Sequence, residues 1–153
     1  MWSGPGSLSI SVMPESRILV ADGDPGVLQS LSAVLQDEDY HILAVASGKE
    51  CLQALEADHF QLVLLDVWMS DLDGLAVLQR IRETHPEVVV VMISGHGNVE
   101  TAVKATKLGA FDFLEKPLSI EKTLVVVKNA LGASLLSAKA VLQDSQLASN
   151  GSA

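Results

Sequence analysis

Five short apolar runs alternate along this chain with five segments of helical period, and that alternation leaves few folds open to it. The runs are Arg17–Asp22 (RILVAD), Tyr40–Val45 (YHILAV), Gln61–Asp66 (QLVLLD), Glu87–Ser94 (EVVVVMIS) and Ala110–Glu115 (AFDFLE). Each has strand length, and the third is apolar through its interior, as expected of a strand buried on both faces. The segments between them carry their own boundary signals. Pro25 suits a first helical turn, and Val27, Leu28, Leu31, Val34 and Leu35 follow at helical spacing. Ser47 and Glu50 form a capping-box pattern ahead of Leu52 and Leu55. The polar loop Ser70–Gly74 precedes a helix bearing Leu75, Leu78 and Ile81, which His85–Pro86 ends. Gly95–Gly97 reads as a flexible loop, Asn98 caps a helix through Leu108, and Gly109 ends it. Ser119 caps a last helix carrying Leu124, Val127 and Leu131.

Strands alternating with helices imply a parallel sheet covered on both faces. Right-handed crossovers and five strands favour a doubly wound α/β domain of strand order 2-1-3-4-5. Ligands of such a sheet sit beyond the carboxyl ends of its strands, at the switch between the first and third. Residues 1–16, rich in Ser, Gly and Pro, read as a disordered leader or tag remnant, and residues 17–131 as the folded domain. After Gly132 the composition turns to Ser, Ala and Gln. Leu135, Ala138, Leu142 and Leu147 could continue a linker helix, with Ser149–Ala153 expected to be disordered.

Composition narrows the classes. The chain is 48% hydrophobic, which argues against disorder throughout, but only 4% aromatic, so its core must rest on Val, Leu, Ile and Ala. A formal charge of −9 repels phosphate backbones and argues against direct nucleic-acid binding. The single cysteine, Cys51, precludes an internal disulfide and reads as a buried packing residue. No apolar run approaches the ~18 residues of a membrane span. No basic residue precedes Arg17, so the start of a signal peptide is missing, and a cytoplasmic location is expected.

The polar residues at the strand ends carry the chemistry. Asp22 and Asp24 follow the first strand, Asp66 ends the third, Ser94 ends the fourth, and Lys116 follows the fifth, before Pro117. The expected topology puts all five on one edge of the sheet. Clustered carboxylates repel, and a divalent cation relieves that repulsion. Magnesium prefers one or two carboxylates with waters and phosphate oxygens. Lysine adds a point charge for phosphate, and a serine hydroxyl can donate to a phosphoryl oxygen. Together these residues describe a phosphoryl-binding site with an aspartate available as nucleophile.

Three segments resemble the receiver domains of bacterial two-component response regulators. LLDVWMSDLDGL resembles the phospho-acceptor segment, VVVMISGHGNVETAV the switch-hydroxyl segment, and GAFDFLEKPLS the lysine–proline segment. The resemblance spans about Arg17 to Leu131, and its wording is closest to NtrC-like and NtrX-like enhancer-binding transcription activators. It implies a flavodoxin-like receiver fold in which Asp66 accepts a phosphoryl group from the histidine of a partner sensor kinase. Asp22, Asp66 and the backbone carbonyl of Trp68 would hold Mg2+. Ser94 and Lys116 would contact the phosphoryl group. Phe113 occupies the position of the aromatic that switches with Ser94, and the Lys116–Pro117 bond would be cis. The resemblance further implies a conformational switch for transcription regulation, with output through a homodimer. Its contact surface would be either the fourth helix, fifth strand and fifth helix, or the C-terminal linker. The ATPase and DNA-binding domains that such receivers serve fall outside this chain.

Two positions depart from the family pattern. Receivers usually carry two adjacent acids after the first strand, the second being the direct magnesium ligand, and here that second position is Gly23. Asp24 matches the position after the pair and could reach the metal through a water. Ser70 stands where close relatives often carry proline. Gly23 motivates an alternative, a pseudo-receiver whose partner binding is independent of phosphorylation. An aspartate-dependent phosphohydrolase is a third reading, but Asp66–Val67–Trp68 lacks the second acid of an Asp-x-Asp pattern. Blander roles also apply: Asp22 and Asp24 as helix caps, Phe113 as core, and His41, His59, His85 and His96 as surface or structural residues without metal-ligand spacing.

Overall fold

The computed structural model describes residues 16–95 and 98–151. The expected leader over residues 1–15, residues 96–97 of the expected flexible loop, and the last two residues of the expected tail lie outside that range.

Five strands form one parallel sheet: β1 (Arg17–Ala21), β2 (His41–Val45), β3 (Leu62–Asp66), β4 (Val89–Ser94) and β5 (Asp112–Glu115). Their order is β2-β1-β3-β4-β5, the doubly wound order expected. Between and after them come α1 (Pro25–Asp37), α2 (Gly48–Ala57), α3 (Gly74–Thr84), α4 (Val99–Lys107) and α5 (Ile120–Gly151). The strands are shorter than the apolar runs by one or two residues: β2 to β5 lose them at the amino end, where the chain arrives from the preceding helix, and β1 loses Asp22 at its carboxyl end.

Alternating side chains divide the core into two layers. Leu19, Val63, Leu65, Val90 and Met92 pack on one face of the sheet with Cys51, Leu55, Leu78, Ile81 and Ala105 of α2, α3 and α4. Ile18, Val20, Leu62, Leu64, Val91 and Ile93 pack on the other with Leu31 and Leu35 of α1 and Val126, Val127 and Ala130 of α5. Every residue of β3 is buried. Cys51 is fully buried, which pushes its thiol up to about 12, in keeping with a packing role. β2 has the same apolar wording but lies at the sheet edge, and only Val45 of its five residues is buried.

The caps follow the sequence. Asp24, Ser47, Asp73 and Asn98 each accept a hydrogen bond from a backbone N–H in the first turn of the helix that follows. Gly109, after α4, has a φ of +105°, a conformation glycine adopts without steric cost. The last helix passes the compositional change at Gly132 without a break and extends to Gly151. A single glycine costs a helix only about 1 kcal/mol, and the Ala- and Leu-containing sequence beyond it is compatible with helix.

Candidate functional site

Parallel pairing brings the carboxyl ends of β1, β3, β4 and β5 to one edge, and the polar residues meet there. Asp66 is level with Ile93 in the ladder and Ser94 with Glu115. Asp22 follows β1, its N–H donating to Val45 O at 3.1 Å. Lys116 follows β5 and is tied to β4 by its own N–H, which donates to Ser94 O at 2.8 Å. The Lys116–Pro117 peptide bond is cis.

Asp22, Asp66 and Ser94 are buried, at 0, 4 and 0% exposure, whereas the other carboxylates whose burial is described are exposed. Lys116 reaches over the two acids, with Nζ 2.8 Å from Asp22 Oδ2 and 3.5 Å from Asp66 Oδ2. The shorter contact is an ion pair without hydrogen-bond geometry, so Asp22 Oδ2 has a counter-charge but no directed donor. The other oxygen, Oδ1, accepts from Asp24 N–H at 2.8 Å. Burial, and then the charge of Asp22, push the Asp66 carboxyl up to about 6 against the pull of Lys116. Burial opposes the charge on Lys116, but the neighbouring carboxylates of Asp22 and Asp66 outweigh it and raise the ammonium.

The remaining sequence candidates fall in different places. Asp24 is exposed and its Oδ1 accepts from Gly26 N–H at 2.9 Å, so its side chain caps α1. Trp68 follows Asp66 closely, pairs with Asp73 in an isolated bridge, and directs its N–H to Asp66 Oδ1 at 3.4 Å. Its side chain is 65% exposed. Phe113 is half-buried against the α2–α4 layer. His41 and His59 are exposed. Among the described residues, no three His, Cys, Asp or Glu side chains cluster; Asp22 and Asp66 form a pair of acids, with Gly23 next to Asp22.

Three residues of the site's frame were not read from the sequence as such. Gly74 lies so close to β3 that a Cβ there would stand 2.1 Å from Asp66 O. Asp73 caps α3, a signal legible in the Asp-Gly pair before Leu75. Asp71 accepts hydrogen bonds from Gly48 and Lys49, more than twenty positions away, which no local pattern announces.

The model of one family, the response regulator receiver domain, matches residues 18–128. This chain belongs to that family. It is 43% identical over 116 residues to the nitrogen assimilation regulatory protein NtrX of Azorhizobium caulinodans, covering 74% of this chain and 26% of that protein. It is 37% identical over 114 residues to the transcriptional regulatory protein ZraR of Escherichia coli, again covering 74% and 26%. The chain thus spans about a quarter of the length of these curated relatives. Among solved structures, it is 42% identical to the beryllofluoride-activated NtrC4 receiver domain dimer, with a TM-score of 0.74, covering 77% of this chain and 98% of that one. It is a receiver domain of the NtrX/NtrC-like kind, and NtrC-like receivers are phosphorylated by histidine kinases. Among the described residues no helix is long and apolar enough to cross a membrane.

Receiver domains generally bind Mg2+ at their acidic phosphorylation site. The residues here fit such an ion. Asp22 Oδ2 is buried without a hydrogen-bond donor, Asp66 is held by burial and repulsion above the usual carboxylate range, and Lys116 bridges the pair.

Proposed function

We propose that Asp66 is the phosphoryl acceptor of a two-component switch, taking the group from a phosphohistidine of a partner sensor kinase. The observation that carries this reading is the buried Asp66–Asp22 pair bridged by Lys116. With its carboxyl at about 6, Asp66 is ionised at neutral pH and able to attack phosphorus. The P–N bond breaks as the P–O bond forms, and the departing imidazole takes its proton from solvent. Mg2+, held by Asp22, Asp66 and the Trp68 carbonyl, supplies charge neutralisation for the phosphoryl oxygens. The chain's own groups do the rest. Lys116 sits 3.5 Å from Asp66 and is positioned to pair with the new phosphoryl charge, and Ser94 ends the neighbouring strand. The acyl phosphate carries about −1.5 to −2 charge where the carboxylate carried about −1, which draws Lys116 and Ser94 inward and shifts β5 and α4, with Phe113 as the reporting aromatic. Val99, Val103, Phe111 and Val125 are exposed apolar residues on that side, suited to a second copy. Self-catalysed phosphorylation and dephosphorylation, and control of transcription through an ATPase and a DNA-binding domain outside this chain, complete the reading.

Incubation with a small-molecule phosphodonor and Mg2+ is expected to add one phosphoryl group, mapped by mass spectrometry to Asp66. An unmodified chain, under conditions that label an ordinary receiver, would overturn the proposal.

Gly23 favours a second reading, a module whose partner binding ignores phosphorylation. The backbone does not require glycine there: a Cβ would meet only Ala46 O, at 4.0 Å. Gly23→Asp should therefore fold normally and supply the missing carboxylate, with Mg2+ affinity rising by roughly tenfold or more, read by isothermal titration. Equal affinities would show that the native ligands already suffice. Partner binding unchanged by Asp66→Asn would favour the pseudo-receiver.

A further inference from the structure

Resting on the reading of Asp66 as acceptor, we propose that Asp71 is a positioning residue, clamping the β3–α3 loop onto the first turn of α2 and so holding the backbone through Asp66 and Trp68. The contact is bidentate: Asp71 Oδ1 accepts from Gly48 N–H and Oδ2 from Lys49 N–H, both at 2.9 Å. These are first-turn donors of α2, which have no partner inside the helix. They hold the Asp71 carboxyl below the usual range, with Lys49 N–H the larger influence. The charge also lies at the positive end of the α2 dipole, where an anion is stabilised.

The packing beside the clamp is built for it. A Cβ on Gly48 would stand 2.9 Å from Val77 Cγ2 and 3.0 Å from Leu72 Cβ, so a glycine lets α2 approach the loop. The base of the loop is closed separately, by Gly74 N–H donating to Val67 O at 2.8 Å and by the Trp68–Asp73 bridge. The base holds the two ends together but does not fix which way the tip leans. Met69 packs on the core layer and Leu72 lies beside Gly48, and at the tip the directed contact to another element is the pair of hydrogen bonds that Asp71 accepts from α2. Ser70, just before it, leaves φ free where proline would fix it, so the loop's covalent geometry supplies less of the order. The carbonyl of Trp68 and the carboxylate of Asp66 belong to the same short stretch, and a tilt of the tip would pass to them.

The test compares the chain with its Asp71→Ala and Asp71→Asn variants, in a Trp2→Phe background so that indole fluorescence reports Trp68. Mg2+ is titrated by fluorescence, and amide exchange is followed at Gly48 and Lys49. Asp71→Ala is expected to weaken Mg2+ binding roughly tenfold and to speed exchange at both amides, while phosphorylation by a small phosphodonor recovers at saturating Mg2+. Asp71→Asn keeps the shape and one acceptor oxygen, so it should fold and fall between the two. A merely structural role would lower the melting temperature and leave the Mg2+ affinity of the folded chain unchanged. That result, with the parent chain binding Mg2+ normally, overturns the role of Asp71 alone. A parent chain that neither binds Mg2+ nor accepts the phosphoryl group overturns the acceptor reading, and this role with it.

Discussion

Asp66→Asn is expected to abolish phosphorylation and, at neutral pH, to make the chain more stable. The first effect follows because an amide has no anionic oxygen to attack phosphorus. The second follows from proton linkage. The Asp66 carboxyl titrates at about 6 in the folded chain and at 3.8 in its ordinary state. Between these values the folded chain binds more protons than the unfolded one, so stability falls as pH rises. The full penalty is present above about pH 6 and absent below about pH 4, and is at most about 3 kcal/mol. Solvent screening reduces it. Denaturant unfolding of both chains at the two ends of that range gives the measurement. A stability gap between them that does not change with pH would contradict the strained carboxyl pair. The same repulsion that weakens the fold is what a divalent cation would relieve, so the site trades stability for a poised nucleophile.

Gly74→Ala is expected to cost about 3 kcal/mol, at the upper end of ordinary overpacking, and to lower the melting temperature by roughly 10 °C. The added Cβ would lie 2.1 Å from Asp66 O, 2.7 Å from Val67 Cα and 2.9 Å from Asp66 C. All three are backbone atoms, and no rotamer change relieves them. Either the first turn of α3 retreats and the Gly74–Val67 hydrogen bond lengthens, or the end of β3 moves. Both displace Asp66 relative to Asp22 and Lys116, so phosphorylation should slow even in the folded fraction. Thermal melting together with a phosphorylation rate tests this. Parent-like values in both would show that the approach is not close. Gly23 is the internal contrast, with room for a side chain and no such penalty.

Alternation of short apolar runs with capped helical segments was enough to settle the class of fold, while the order 2-1-3-4-5 rested on its being a common one for doubly wound five-stranded sheets. Asp24, Ser47 and Asn98 capped the helices they precede because capping is a local interaction, written within three or four residues. Asp66, Ser94 and Lys116 were legible because a parallel sheet sends every strand's carboxyl end to one edge, whatever the details of packing. Burial is not written in hydropathy alone: His41–Val45 is as apolar as a central strand, yet it lies at the edge and is largely exposed, because burial depends on neighbours. At α5 the helix runs on past the change of composition after Gly132.

The order of residues alone fixes which groups stand at the carboxyl edge: the proposed acceptor Asp66, a serine and a lysine, with Gly23 in place of a second acid after β1. Their states depend on how the chain packs. Lys116 lies nearer Asp22 than Asp66, Asp24 turns away to cap α1, burial lifts the Asp66 carboxyl, and Asp71 ties the acceptor loop to α2. Strand ends and caps are set by neighbours along the chain. Charge balance, desolvation and close approach depend on residues tens of positions apart, which meet only when the sheet has formed.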